Sequence, residues 1–247
     1  MEETKENSEQ ITDAGELILI DKPLKWTSFD VTKKLKFAGK FKKIGHAGTL
    51  DPLATGLLIL CTGKMTKQID NYQAQEKEYS GTLVLGKTTP SVDLETEFDA
   101  EFPTEHITKI IIENALNGLK GNVLQIPPIY SAIQVNGKRL YELARKGIKD
   151  SDIEIKSREV EISKFEIDDT NFPEINFSIV CSKGTYIRSL VRDFGIACGS
   201  GAYMKALRRE RIGEYSVKNA LTIQQFMENR GLEYVEKSEA NHFNKRK

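Results

Sequence analysis

Only three cysteines occur in the 247 residues, Cys61, Cys181 and Cys198, an odd number at wide spacing. That excludes a disulfide framework and fits a reduced, cytoplasmic protein. Histidine is equally scarce, with His46, His106 and His242 far apart. No Cys/His cluster has zinc spacing and no Asp/Asn ladder has calcium-loop spacing, so no metal is expected. No apolar run approaches the ~18 residues of a membrane span. Residues 1–13 are polar, with Glu2, Glu3, Glu6 and Glu9, and lack the apolar centre of a signal peptide; a disordered leader is expected. There is no internal repeat and no Gly/Ser linker. Net charge is absent as well, 36 Lys and Arg balancing 36 Asp and Glu. What remains is ordinary globular composition, 39% hydrophobic and 29% charged, long enough for one large domain.

The neutral total hides segregation. Lys33, Lys34, Lys36, Lys40, Lys42 and Lys43 precede one loop, and Arg208, Arg209 and Arg211 form a second basic cluster. Between them runs an acidic stretch, Asp93, Glu95, Glu97, Asp99 and Glu101, which reads as a solvated face. The loop itself is the most informative segment: Gly45-His46-Ala47-Gly48-Thr49-Leu50-Asp51-Pro52-Leu53-Ala54-Thr55-Gly56. Glycine and proline at this density require a tight turn. Leu57-Leu58-Ile59-Leu60-Cys61 follows, an apolar run of buried-strand length. One carboxylate, Asp51, therefore sits on a rigid turn at the edge of the core. It either caps the turn or is presented as a reactive group. The neighbouring lysines favour a polyanionic partner.

Glu16 to Ile20 reads as a strand. Thr27 or Ser28 can cap a helix running to about Lys36. Tyr79 to Leu85 and Ile175 to Cys181 alternate as half-buried strands. A helix is predicted from about Thr104 to Leu116, a hairpin at Asn136-Gly137, and helix again from Tyr141 to Arg145, ending near Gly147. Ile187, Leu190, Val191 and Phe194 recur at helical spacing, with Arg188 and Arg192 on another face. Hairpins and alternating strands argue against a purely parallel sheet. The fold class is α+β: a mixed, largely antiparallel sheet flanked by helices and loops. The catalytic domain is expected over 14–226. The stretch 227–247 is charged and too short for an independent core.

Asp21-Lys22-Pro23, the run His46 to Gly56, Lys77-Glu78-Tyr79-Ser80-Gly81, Lys183-Gly184-Thr185-Tyr186-Ile187-Arg188 and Ala206-Leu207-Arg208-Arg209 occur in this order. Together, from about Leu17 to about Leu221, they resemble the TruB family of tRNA pseudouridine synthases. The resemblance implies the pseudouridine-synthase fold, without a complete C-terminal PUA domain. It also implies isomerisation of the uridine at position 55 in the T-arm loop of tRNA, with base flipping and without a cofactor. Asp51 resembles the family's catalytic acid, adding to the pyrimidine or promoting a glycal-like route through the sugar. Arg188 resembles the residue paired with it, which keeps the acid ionised. Tyr79 resembles the tyrosine that stacks on the target base and takes a proton from the sugar. Tyr186 and Leu207 resemble pocket walls, and His46 a wedge filling the space left by flipped nucleotides. Lys22, Lys40, Lys42, Lys43, Arg208 and Arg209 are expected at the RNA surface, with Lys22-Pro23 also buttressing the loop.

The implied partner is bare tRNA, bound by a monomer with no guide RNA and no membrane. An H/ACA-type catalytic subunit carries the same acid loop but normally keeps the RNA-binding domain expected to be missing here. A non-catalytic RNA-binding module would have no need of the acid, the arginine and the tyrosine together. Gly56 to Gly63-Lys64 has six residues between its glycines, not the four of a P-loop, and Met65 where Ser or Thr belongs. A glycosidase would want two paired carboxylates.

Overall fold

Alternating and continuous apolar runs end up in different parts of one nine-stranded sheet. The computed structural model describes residues 14–135, 137–148 and 152–234. The expected leader, Asn136 and the last thirteen residues lie outside these. Strands are β1 (Leu17–Lys22), β2 (Ile44–His46), β3 (Ala54–Thr62), β4 (Lys77–Leu85), β5 (Lys87–Thr88), β6 (Ala100–Glu101), β7 (Gly121–Gln125), β8 (Gln134–Val135), β9 (Lys138–Arg139), β10 (Arg158–Asn171), β11 (Glu174–Cys181), β12 (Ala202–Ile212) and β13 (Tyr215–Ser216). Helices are α1 (Ser28–Ala38), α2 (Ile69–Ala74), α3 (Lys109–Gly118), α4 (Leu140–Ala144), α5 (Ile187–Ala197) and α6 (Ile223–Glu228).

The sheet order is β1-β3-β12-β4-β11-β10-β7, with β2 on β3 and β13 on β12. Every pairing in it is antiparallel except β3 with β12. The mixed, largely antiparallel sheet expected from the sequence is the one observed. Leu58 and Leu60 of β3 pack under α1 and α6, while Leu57, Ile59 and Cys61 pack on the opposite side with Ile212 and Val217. Both faces are covered, which is why this strand is an unbroken apolar run. In β4 and β11 only one face is covered. Leu83, Leu85, Ile175, Phe177 and Ile179 join Val191 and Phe194 of α5 in the main core.

Thr27 and Asp30 form a capping box on α1, and Val31 and Leu35 are fully buried. A cap contributes ~1 kcal/mol and each buried aliphatic side chain ~1.5–3 kcal/mol. The helix expected from Thr104 begins instead at Lys109, because the Thr108 hydroxyl caps it by accepting from the Ile111 N–H. The packed body continues past Phe226: Met227 is buried, and Leu232 and Tyr234 pack on the cluster under α1.

Candidate active site

The Asp51 loop joins β2 to β3 and is pinned from three directions. The Asp51 carbonyl accepts from the Ala54 N–H at 3.1 Å, closing a turn with Pro52 at its second position. From α1, the Ser28 hydroxyl donates to the Leu50 carbonyl at 3.2 Å and accepts from the Leu50 N–H at 2.9 Å. From the end of β1, the Lys22 ammonium donates to the carbonyls of Trp26 at 2.6 Å, Pro23 at 3.0 Å and Pro52 at 3.4 Å. From β12, Arg209 Nε donates to the Leu57 carbonyl at 2.8 Å and Nη2 to Gly48 at 3.1 Å. Leu50 and Ala47 are plugs buried in the core.

Gly56 makes the parallel seam possible. It pairs with Arg209 at φ +102°, and a Cβ there would lie 2.3 Å from the Arg209 carbonyl oxygen. No side chain fits. The same seam sets Leu207 opposite Ala54, so the loop and the β12 motif meet through backbone register.

Arg188, the second residue of α5, points under the loop. Its Nε donates to Asp51 Oδ2 at 2.9 Å, Nη1 to the Ser91 carbonyl at 3.0 Å and Nη2 to the Tyr130 carbonyl at 2.8 Å. The guanidinium is buried, whereas the Asp51 side chain keeps 35% of its exposure. Burial alone would lower the arginine's pKa; Asp51 and Asp93 outweigh it and hold the guanidinium charged. Asp51 Oδ1 has no hydrogen bond among the described residues, so one carboxylate oxygen is oriented and the other is open.

Asp93 is the residue that sequence reasoning misread. It is 2% exposed, not part of a solvated face. Its Oδ2 lies 3.8 Å from Arg188 Nε, and its Oδ1 accepts from the Ser91 hydroxyl at 2.6 Å and the Glu95 N–H at 3.0 Å. Burial pushes its pKa up, opposed by Arg188 and Ser91. Between Ser91 and Asp93, Val92 has φ +62°, a costly left-handed conformation for a β-branched residue. Met204 holds it there, donating its N–H to the Val92 carbonyl at 2.8 Å. The available signal was an Asp between two apolar residues in a Ser/Thr/Pro-rich turn, unlike the rest of the acidic run.

Tyr79 and Leu207 join Leu50 and Ala54 in one buried cluster beside the loop. Tyr79 stands opposite Arg209 in the β4–β12 register. Burial raises its pKa against the pull of Arg209, so at neutral pH it is a neutral phenol. Tyr186, just before α5, is fixed by Gln125, whose side-chain amide donates to its carbonyl at 3.1 Å and accepts from its N–H at 2.7 Å. The Arg158 guanidinium lies 5.1 Å from the Tyr186 ring centroid. His46 is half-buried, with Nδ1 3.4 Å from Thr32 Oγ1 and Nε2 3.3 Å from Thr49 Oγ1. Burial and Arg209 lower its pKa and favour the neutral ring.

Two residues expected at the RNA surface are not there. Lys22 is 0% and Arg209 1% exposed; both charges are spent on backbone carbonyls of the loop and its flanks. Burial lowers the Lys22 pKa to about 8 against the charge of Asp51. Arg208 is half-buried in a two-pronged ion pair with Asp21 at 2.7 and 3.0 Å. Lys40, Lys42 and Lys43 are exposed, as expected.

Residues 34–187 match the TruB family pseudouridylate synthase N-terminal domain, and 188–240 match the tRNA pseudouridylate synthase B C-terminal domain. This chain belongs to the TruB family. It is 55% identical over 221 residues to the tRNA pseudouridine synthase B of Flavobacterium johnsoniae, covering 87% of this chain and 95% of that protein. Identity to the same-named protein of Phocaeicola vulgatus is 51% over 220 residues, covering 87% and 92%. Among solved structures, a chain of a Cbf5-Nop10-Gar1 complex superposes with a TM-score of 0.63 at 26% identity over 86% of this chain. The TruB-family chain spans about half of that longer chain, 53%. The junction between the two family domains falls at Arg188, the residue that reaches back to Asp51.

Proposed function

We propose that this TruB-family chain converts the uridine at position 55 of tRNA, in the T-arm loop, to pseudouridine. The observation that carries the proposal is the Asp51–Arg188 pair: a carboxylate on an over-determined turn, one oxygen bound at 2.9 Å and the other free. The reaction breaks the N1–C1′ bond, turns the base over and forms C5–C1′. The C5 proton is lost and N1 gains one, so the product is an isomer. Asp51 is the catalytic acid, used as its carboxylate. RNA closing over the loop would desolvate it and favour protonation; Arg188, fixed by two carbonyls and Asp93, opposes that. Tyr79, Leu207 and Tyr186 wall the base, with Tyr79 acting as a neutral ring and hydroxyl. His46 fills the space that the flipped nucleotide leaves. Lys22 and Arg209 position the loop, while Lys40, Lys42 and Lys43 meet phosphates.

The chain acts as a monomer on bare tRNA, with no metal, cofactor or guide RNA. The tRNA synthase names of relatives matched over nearly their whole length support this over a guide-RNA assembly. The test is incubation of purified chain with a T-arm hairpin in chelator, followed by mapping of pseudouridine. Conversion at the loop uridine is expected. Modification confined to another RNA class would refute the proposal.

A further inference from the structure

The outer face of α1 is unusual for a helix that is otherwise so firmly docked. Phe29 is 67% and Phe37 71% exposed. Residues 29, 33 and 37 are four apart, so both rings and Lys33 lie on one ridge. Lys36 and Lys40 stand beside it, exposed. Within α1 no acid offsets this face: Asp30, its only carboxylate, is held in the capping box. Neither Lys33, Lys36 nor Lys40 forms an ion pair among the described residues. Two exposed phenyl rings set among unpaired lysines suit a ligand with both negative charge and flat apolar faces. A nucleic-acid helix has both: phosphates for the lysines, and sugar edges along its wide, shallow groove for the rings. An acidic protein partner would satisfy the lysines only.

The face is continuous with the candidate active site. Ser28, at the start of α1, holds Leu50 of the loop, and Thr32 touches His46. Eleven residues of helix extend ~16 Å from there, the length of several phosphates along a strand. We infer that the outer face of α1 is the docking surface for the double-helical stem that leads to the target loop, with Phe29 and Phe37 packed on the sugar edges of its shallow groove and Lys33 and Lys36 on its phosphates. The inference rests on the RNA-modifying reading of the Asp51 site.

The test uses the full chain and two hairpins with the same loop, one with a stem of about three base pairs and one of about ten. Affinity is measured by fluorescence anisotropy across salt concentrations, and pseudouridine formation by the unmodified chain is followed in parallel. The longer stem should bind the natural sequence at least tenfold more tightly. F29A/F37A should weaken long-stem binding at least fivefold with little change in salt slope, since neither ring neutralises a phosphate. K33A/K36A should lower that slope by about 2. Both variants should bind the short stem like the natural chain. Equal affinity for the two stems, or variants indistinguishable from the natural chain, would overturn the inference. So would a lower Tm of F29A/F37A with unchanged RNA affinity, since the rings would then be covered by protein. If the unmodified chain forms no pseudouridine in either hairpin, the reading of the Asp51 site fails instead.

Discussion

Replacing Arg188 with lysine keeps the positive charge and removes the geometry, so it separates the two contributions. The guanidinium serves three acceptors in different directions: Asp51 at 2.9 Å, Ser91 at 3.0 Å and Tyr130 at 2.8 Å. A lysine ammonium can reach one or two of these, which leaves at least one buried carbonyl without a donor. An orphaned buried acceptor costs ~1–3 kcal/mol, and loss of hydrogen bonds from a charged group adds ~1.5–3 kcal/mol. Together the expected destabilisation is ~2.5–6 kcal/mol. For a domain of this size that corresponds to a fall in Tm of ~5–24 °C. Turnover should fall further than stability implies, because Asp51 loses the partner that orients Oδ2; a drop of at least a hundredfold, ~2.7 kcal/mol in the barrier, is expected. The assay is a urea titration beside single-turnover kinetics on a T-arm hairpin at a temperature where the variant is fully folded. Normal stability and normal turnover for Arg188→Lys would show that a positive charge suffices and that the fork geometry is irrelevant.

Other consequences are equally direct. Gly56→Ala places a methyl 2.3 Å from the Arg209 carbonyl at a left-handed φ, so it should break the β3–β12 seam and unfold the chain or abolish conversion; a folded, active Gly56→Ala protein by circular dichroism and turnover would contradict the seam's role. Replacing Lys40, Lys42 and Lys43 with alanine should weaken RNA binding and flatten its salt slope by about 2–3, read by anisotropy; an unchanged slope would place the RNA elsewhere. Lys77 is buried, its ammonium donates to the carbonyls of Gln73 and Gln75, and burial lowers its pKa from 10.5 to about 8. Because the unfolded chain holds that proton up to about pH 10.5 and the folded chain only to about 8, this site's contribution to stability rises with pH across that window. Lys77→Met should therefore flatten the rise in Tm between pH 8 and 10, and a variant with the same pH dependence as the natural chain would refute the assignment.

The readable parts of the fold were those in which burial imposes a single period. β3 is covered on both faces, β11 on one, and α5 carries an apolar stripe; each pattern appears in the residues themselves. β10 and β12 were not legible as strands, because their uncovered faces carry Lys, Arg and Glu, and a charge run reads as solvent-facing. In β12 that cost a residue assignment: Arg208 and Arg209 are neighbours, but strand alternation sends one to a surface ion pair and the other into the core. Strand alternation from Leu207 would have placed Arg209 on the buried face. The candidate site was legible where its groups sit within a motif, as Asp51, Tyr79, Arg188 and Leu207 do. It was illegible where backbone carbonyls act: Ser91, Tyr130, Gly48 and Leu57 contribute acceptors that no residue type announces. The same holds for Asp93, whose burial depends on a left-handed valine.

The open carboxylate oxygen of Asp51 is expected to perform the chemistry while the surrounding surface performs the binding. Asp51→Asn keeps the size of the side chain and an acceptor for Arg188, and removes the charge. The decisive measurement is pseudouridine formed on a T-arm hairpin by this variant at saturating enzyme, with RNA affinity measured on the same preparation. No detectable product and an affinity within a few-fold of the natural chain are expected. Substantial product from Asp51→Asn would contradict the catalytic assignment and the reading built on this loop.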